Sequence, residues 1–258
     1  MKIICPICKE ELIKEDKTYR CINRHSFDIA KEGYLNLNLS SSKSTGDSEE
    51  MMNKRHLFLG KNYYAFLREE INRMLKEYGI ESLVDLGCGE GYYTSFFEVK
   101  DKIGVDLSKK GLKIASKNDK HTSYILSSIF RLPLEDNSAQ AMTTIFAPVP
   151  VEEINRVLKD KGYYILVRPD TNHLYELKEA VYDKAYLNEV EKLNLDNLNL
   201  IKEYSISNRV LLDNEDLKEL FTMTPYYIKT SPRDKEKLND IKNLSVSFAF
   251  VISVFQKD

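Results

Sequence analysis

The chain has no tryptophan, and only seven prolines and ten glycines in 258 residues. That scarcity excludes collagen-like, low-complexity and largely disordered chains. Long apolar runs are also missing. The longest, residues 246–255, is ten residues and contains two serines, whereas a membrane-spanning helix needs about twenty. The opening Met1-Lys-Ile-Ile-Cys-Pro lacks the apolar stretch of a secretory signal. A soluble cytoplasmic protein is expected. A large charge excess is absent too. The formal net charge is −2, with 14 basic against 12 acidic residues in 1–78 and 24 against 28 in 79–258. A domain that coats nucleic acid non-specifically is far more basic. Any nucleic-acid contact must be local, and the slightly positive N-terminal third is the place for it.

Apolar residues make up 42% of the chain, enough for a sizeable core. Cysteine is sparse but clustered. Three of the four cysteines fall in the first 21 residues, in the pattern Cys5-x2-Cys8, then twelve residues, then Cys21-x3-His25. A secreted disulfide scaffold would spread its cysteines through a short chain. Four thiolate and imidazole donors suit a tetrahedral zinc ion instead. The segment lacks the apolar mass to fold alone, so metal binding would supply folding free energy. One structural zinc per chain is expected on Cys5, Cys8, Cys21 and His25. Around these ligands lie Lys9, Lys14, Lys17, Arg20, Arg24 and Lys31, with six acids interspersed. Charge alone favours a solvated face over a phosphate-contacting patch.

A Ser-rich stretch, residues 40–46, reads as a flexible connection. Asp47-Ser48 before Glu49-Glu50 is a helix-start pattern, and apolar residues at helical spacing predict one or two helices up to Tyr78. Beyond Gly79, strand and helix signals alternate. Strands are expected at 82–86, 102–106, 123–126, 141–146, 162–168, 209–212 and 245–255. Helices are expected at 92–97, 109–117, 151–158, 173–187, 214–221 and 233–242. Repeated βα units imply an α/β fold with a mainly parallel sheet.

Val84-Asp85-Leu86-Gly87-Cys88-Gly89-Glu90-Gly91 sits at the first strand-to-helix junction. Glycines there let the backbone turn sharply and approach a ligand. Two acids, Asp85 and Glu90, would repel the pyrophosphate of a dinucleotide. They suit a ligand with a cationic amino-acid part and no phosphate, which describes S-adenosylmethionine. Asp106 ends the next strand 21 residues after Asp85, where a carboxylate can accept both ribose hydroxyls. Asp85, Gly87, Gly89, Glu90, Gly91, Asp106 and the adjoining Leu107 are therefore candidate cofactor residues. Cys88 is a packing residue rather than a nucleophile.

Cys5-Pro-Ile-Cys8, Cys21-Ile-Asn-Arg-His25, Phe27-Asp28 and Ala30-Lys-Glu-Gly-Tyr34 follow one another closely; then come Gly46-Asp-Ser, Glu50-Met-Met, Phe58-Leu59, Asp85 to Thr94, Arg131-Leu-Pro133, Ala147-Pro148, His173-Leu174 with Glu176-Leu-Lys178, and Met223-Thr-Pro225. The set resembles the 23S ribosomal RNA guanine-N1 methyltransferases, a group that includes macrolide-resistance methyltransferases. The resemblance implies a class I, Rossmann-like S-adenosylmethionine-dependent methyltransferase domain with a mainly parallel seven-stranded sheet. It also implies a small N-terminal zinc domain that grips an RNA hairpin, and a homodimer forming the RNA cleft. Tyr64 and His173 carry over as cofactor contacts; on their own they would read as a core aromatic and a helix-terminal residue. Asn62-Tyr63 stands where the family often has Gly-His, and Lys159-Asp-Lys-Gly162 replaces the frequent Lys-Pro-Gly-Gly turn. The expected division is a zinc-binding RNA-recognition domain in 1–39, linker and helices in 40–79, and the methyltransferase domain in 80–258.

Guanine N1 carries a proton at neutral pH, so the site should offer a proton acceptor, a donor to O6, or both. The base must also leave its pairing partner. Phe146, in Ile145-Phe-Ala-Pro148, could stack on it or could be core. Asp170 and Glu176 are possible acceptors, and the catalytic assignment stays open. Other readings remain: a zinc-containing RNA-binding module with a merely structural cofactor fold, or a small-molecule methyltransferase.

Overall fold

A computed structural model describes residues 1–40, 49–190 and 193–258. The Ser-rich connection from 41 onward and the Asp47-Ser48 helix start lie outside the described residues.

The N-terminal segment forms a three-stranded antiparallel sheet, β1 (Ile13–Glu15), β2 (Thr18–Arg20) and β3 (Ser26–Asp28). Its strands are three residues each and largely exposed, too little apolar surface to hold a fold by itself. Two helices follow the linker, α1 (Glu49–Gly60) and α2 (Ala65–Glu77). In α2, Leu67, Ile71, Met74 and Leu75 are buried, the one-face spacing that the sequence pattern predicts.

The remaining chain builds one sheet. Its parallel members are β5 (Ser82–Leu86), β6 (Asp101–Asp106), β7 (Thr122–Leu126), β8 (Ala139–Ile145) and β9 (Leu158–Pro169). Val84, Leu86, Ile103, Val105, Ile125 and Met142 are all buried, as strands covered on both faces require. Two long antiparallel strands, β10 (Leu198–Asp213) and β11 (Asn243–Lys257), complete it. The spatial order is β10-β11-β9-β8-β5-β6-β7, seven strands, with an eighth at the β7 edge. That eighth strand is β4 (Leu35–Asn36), contributed by the N-terminal segment and parallel to β7.

The N-terminal segment, here called the ribbon, is tied to the sheet at a second point. Ile3 bridges Leu134, and Ile4 N donates to Pro133 O at 2.9 Å. Cys5, Cys21, Leu35 and Leu37 share one apolar cluster with Val84, Val105, Leu132 and Met142. Tyr34 joins Cys88, Leu112 and Tyr124 in another, so Cys88 packs in the core.

Four expectations differ from the structure, one of them the helix expected at 233–242, which is α-helical only over Pro232–Glu236 and continues as a 3-10 turn, Lys237–Asp240. Residues 92–97 form only a short 3-10 turn, Thr94–Phe96. The β5–β6 connection is too short for a full crossover helix, and α2 covers that face, with Arg68 over the rings of Tyr92 and Phe96 at 4.7 and 4.5 Å. The helix expected at 173–187 is α5, confined to Tyr175–Val181. Strand β10 begins eleven residues before residue 209, because pairing with β11 along nearly its whole length overrides its polar sequence. The other helices are α3 (Lys109–Asn118), α4 (Val151–Val157), α6 (Asn214–Thr222), α7 (Tyr226–Lys229) and α8 (Pro232–Glu236). The α1–α2 turn is held to α6 by Lys61, which pairs with Asp216 and with Glu219, the latter at 2.7 Å. Among the described residues no helix is long and apolar enough to cross a membrane.

Leu37 is 2% exposed at the seam between ribbon and sheet. Leu37→Ala should cost about 2–5 kcal/mol, read as a lower denaturant midpoint. A change well under that would show that the ribbon docks without contributing to global stability.

Candidate active site and metal centre

Strand order reverses between β5 and β8, the place where open parallel sheets bind ligands at their carboxyl ends. The glycine loop leaves β5 there. Gly87 has φ +76°, and a Cβ on it would lie 2.6 Å from Ala147 Cβ at the tip of β8. Gly91 has φ +79° and would put a Cβ 2.6 Å from Tyr124 Oη. Both positions need left-handed backbone and close approach, which only glycine supplies without strain. Helix α3 backs the loop equally tightly, since a Cβ on Gly111 would meet Gly89 backbone at 2.8 Å.

Asp85 is 2% exposed. Thr143 Oγ1 donates to its Oδ1 at 2.7 Å, and Thr94 Oγ1 to its Oδ2 at 2.5 Å. Burial pushes this carboxyl up to about 6, against the pull of those two hydroxyls. Asp106 Oδ2 accepts from Gly89 N at 2.8 Å, and its Oδ1 from Ser108 N at 2.5 Å. Asp106 thus fixes the loop's middle from the next strand.

A cavity of about 520 Å³ opens in front of this loop. Tyr64, Asp85, Gly87, Gly89, Glu90 and His173 line it. Three other candidates do not. Gly91 packs behind the loop on Tyr124, Asp106 holds Gly89 from the side, and Leu107 is 42% exposed. Arg55, Tyr92, Tyr93 and Arg168 line it too, none of them a candidate on sequence alone. The tyrosines sit directly after the glycine motif and were legible as neighbours, whereas Arg55 and Arg168 carry no local signal. Met223 and Pro225, from the Met-Thr-Pro segment, line the cavity as well.

Three polar atoms at this wall are buried without a hydrogen-bond partner: Glu90 Oε2, Tyr92 Oη and Tyr93 Oη. Groups of this kind call for a ligand. A carboxylate beside two hydroxyls matches the ammonium and carboxylate of an amino-acid moiety, so the residues present fit S-adenosylmethionine. Glu90 Oε1 lies 3.1 Å from His56 Nδ1. Burial raises the Glu90 carboxyl, and His56 counteracts it.

His173 is almost fully buried. Its Nδ1 accepts from Ala249 N at 3.3 Å, and burial pulls the ring down to about 3. The imidazole is therefore neutral at working pH, and Nε2 carries the proton. Phe146 has φ +58° and is 43% exposed at the end of β8. A bulky residue held in that backbone region is strained, and such strain collects at functional sites. Neither Asp170 nor Glu176 lines the cavity. Glu176 accepts from Ser247 N and Oγ at 3.0 and 2.6 Å, and Asp170 accepts from Thr171 N at 2.7 Å.

The ribbon gathers the expected metal ligands. The donor atoms of Cys5, Cys8, Cys21 and His25 all lie within 4.8 Å of one another. Cys8 Sγ is 3.6 Å from Cys21 Sγ, and His25 Nδ1 is 3.4 and 3.5 Å from Cys21 and Cys5 Sγ. A tetrahedron with Zn–S of about 2.3 Å and Zn–N of about 2.0 Å has edges of roughly 3.5–3.8 Å. The donors fit zinc, and four protein ligands leave no open position. Each half of the site is a tight turn, closed by Lys9 N to Cys5 O and by Arg24 N to Cys21 O, both 2.9 Å.

Comparison with known proteins bears on both halves. Residues 3–43 match the family described as "RlmA, N-terminal", a zinc ribbon, and residues 84–166 match a methyltransferase domain. The 23S rRNA (guanine(748)-N(1))-methyltransferase of Streptomyces fradiae is 32% identical over 69% of this chain and 66% of its own length. YxjB of Bacillus subtilis (strain 168), provisionally named a 23S rRNA (guanine-N(1)-)-methyltransferase, is 30% identical over 69% of this chain and 68% of its own. The chain belongs to the 23S rRNA guanine-N1 methyltransferase family. It is an S-adenosylmethionine-dependent methyltransferase carrying an N-terminal zinc ribbon. The matches span about two thirds of those relatives' length.

Two outcomes follow for the methyltransferase. Cys21→Ser should take zinc from one ion per chain to near none by elemental analysis and open residues 1–39 to proteolysis; retained metal would show that the ligand set is wrong. Burial holds the folded Asp85 carboxyl at about 6, above the ordinary aspartate value of about 3.9. Between those values the folded state keeps the proton that the unfolded state loses. Stability therefore falls as pH rises from about 4 to 6, by roughly 3 kcal/mol, and stays lowered above. Asp85→Asn should be more stable than wild type at pH 7.5, with the gain vanishing near pH 4. A constant difference across that range would refute the buried-carboxylate account.

Proposed function

We propose that the protein transfers a methyl group from S-adenosylmethionine to N1 of a guanine in a 23S rRNA hairpin. One observation carries the reading. The cavity with its unpartnered Glu90, Tyr92 and Tyr93 atoms shares a single sheet with a Cys3His ribbon. A small-molecule methyltransferase would leave the ribbon without a role, and a bare RNA-binding module would leave the cavity without one. In this reading residues 1–39 are the zinc-binding RNA-recognition domain, 40–79 the linker and helices, and 80–258 the methyltransferase domain. The protein works in the cytoplasm as a homodimer on ribosomal RNA.

The cofactor, when bound, supplies an electrophilic methyl on a cationic sulfur. Glu90 and the hydroxyls of Tyr92 and Tyr93 would hold its amino-acid end. Asp85 keeps the loop in place through Thr94 and Thr143 rather than by direct contact. The loop's other candidates, Gly87, Gly89 and Gly91, would leave room for it, and Asp106 and Leu107 would hold its nucleoside part. Tyr64 forms the floor, ring to ring with Phe146 and His173 at 6.4 Å each. Neutral His173 offers an N–H and no charge. Phe146 presents its ring at the mouth for an extruded base.

Labelled-methyl transfer to unmodified 23S rRNA, followed by primer extension, tests the function: methylation at N1 stops the polymerase at the modified guanine, and no stop with bound cofactor would reject the reading. Phe146→Ala should lose about 1–3 kcal/mol in kcat/KM for RNA while leaving cofactor affinity unchanged in calorimetry. A parallel loss of cofactor affinity would make Phe146 a wall of the cofactor site instead.

A further inference from the structure

A second cavity, of about 300 Å³, adjoins the first and is lined by Arg168, Pro169, Asn188, Glu189 and Val190. Arg168 and Pro169 line both cavities. They end β9, next to the tip of β8 where Phe146 sits. The far wall of this second space is a loop with no regular structure, yet it is firmly built. Asn188 Nδ2 donates to Asp170 O at 2.8 Å and to His173 O at 3.1 Å. Its Oδ1 accepts from Lys178 Nζ at 2.6 Å and from Tyr226 Oη at 3.3 Å. The amide has thus used all four of its hydrogen-bonding positions. Two of its partners, His173 and Tyr226, belong to residues that line the cofactor cavity. Lys178 is 8% exposed, and its ammonium also donates to Tyr186 O at 3.1 Å and lies 5.0 Å from the Tyr226 ring centroid. The lysine of the His-Leu-x-Glu-Leu-Lys segment therefore anchors the loop that faces Arg168.

The chemistry of guanine N1 says what such a space must contain. As N1 attacks, its proton leaves and negative charge grows on O6. A guanidinium is suited to O6, and a carboxylate to the N1 proton. Among the described residues, the carboxylates of the first cavity are Asp85 and Glu90. Asp85 is closed off by two hydroxyls, and Glu90 lies on the glycine loop with His56 on its other oxygen. Glu189 is the acid that lines the second cavity together with Arg168.

Resting on the guanine-N1 reading, we propose that this second cavity receives the extruded guanine, with Arg168 as the donor to O6 and Glu189 as the acceptor of the N1 proton. One N1–methyl bond forms as the methyl–sulfur bond breaks. The N1 proton passes to the Glu189 carboxylate and then to water, and the sulfonium leaves as a neutral thioether. Arg168 is held for this task by Ser253 Oγ and Glu203 Oε2, which accept from its Nη2 at 3.2 and 3.3 Å. Asn188 and Lys178 are positioning residues; they hold the loop and touch no reacting atom.

The test uses the full-length protein, labelled S-adenosylmethionine and unmodified 23S rRNA. Single-turnover rates are measured against pH for wild type, Glu189→Gln and Arg168→Lys, with cofactor affinity by calorimetry and modified positions by primer extension. Glu189→Gln should slow transfer by about 10²-fold or more. Its rate should then rise about tenfold per pH unit where the wild-type profile is flat, because solvent must take the proton. Arg168→Lys should lose about 10²–10³-fold and keep the flat profile. Glu189→Gln should bind cofactor as wild type does, since Glu189 does not line the first cavity. Glu189 is exposed, so its variant remains decisive even if Arg168→Lys proves unstable. A wild-type rate and unchanged pH profile in Glu189→Gln would overturn the proposal while leaving the guanine-N1 reading intact. A wild-type protein that binds cofactor but produces no stop at any guanine would overturn that reading, and the proposal with it.

Discussion

A carboxylate buried between two threonine hydroxyls is the joint from which the site is assembled. Asp85 comes from β5, Thr143 from β8 and Thr94 from the far side of the glycine loop. The three together fix the strand-order reversal and the loop that crosses it. Ionising a carboxyl this deep is unfavourable, which burial expresses as its raised pKa. The fold accepts that cost because the alternative is an unanchored loop. Lys102, buried in β6, supports the same loop by donating to Thr94 O at 3.0 Å and Phe97 O at 2.7 Å. The short connection after the glycines is thereby rigid without a long helix.

Much of this was legible in the sequence where chemistry is written in consecutive residues. The zinc ligands are close in the chain, and their spacing alone defines two knuckles. The glycine motif declares itself by residue types that tolerate left-handed backbone. The acids at 85 and 106 declare themselves by their place at strand ends, although both turned out to grip the loop through hydroxyl and backbone groups. Tyr64 and His173 needed the family resemblance, since each alone is an unremarkable buried ring. The structure brings both to the cavity wall.

What escaped the sequence depends on distant partners. Strand β10 is half polar and exposed along most of its length, and only its long pairing with β11 makes it a strand. Arg168 sits in a strand whose apolar pattern it ends, and nothing local marks it as a wall shared by two cavities. Asn188 is a single amide in an irregular segment. Its four hydrogen bonds reach 10 to 38 positions along the chain. Sites of this kind are defined by loops placed on a rigid scaffold, and their members become visible only once the scaffold is closed.

The two-residue strand β4 has a consequence for how the molecule can be divided. It covers the backbone of Ile125 and Leu126 at the margin of the catalytic sheet. Cutting the chain behind residue 39 would leave those groups bare beside an apolar patch, the raw border along which sheets from different molecules join. Metal site and methyl-transfer site are consequently not separable cassettes. Ribbon and sheet form one mechanical body, and a catalytic fragment isolated without its metal-bearing neighbour should be sticky before it is inactive.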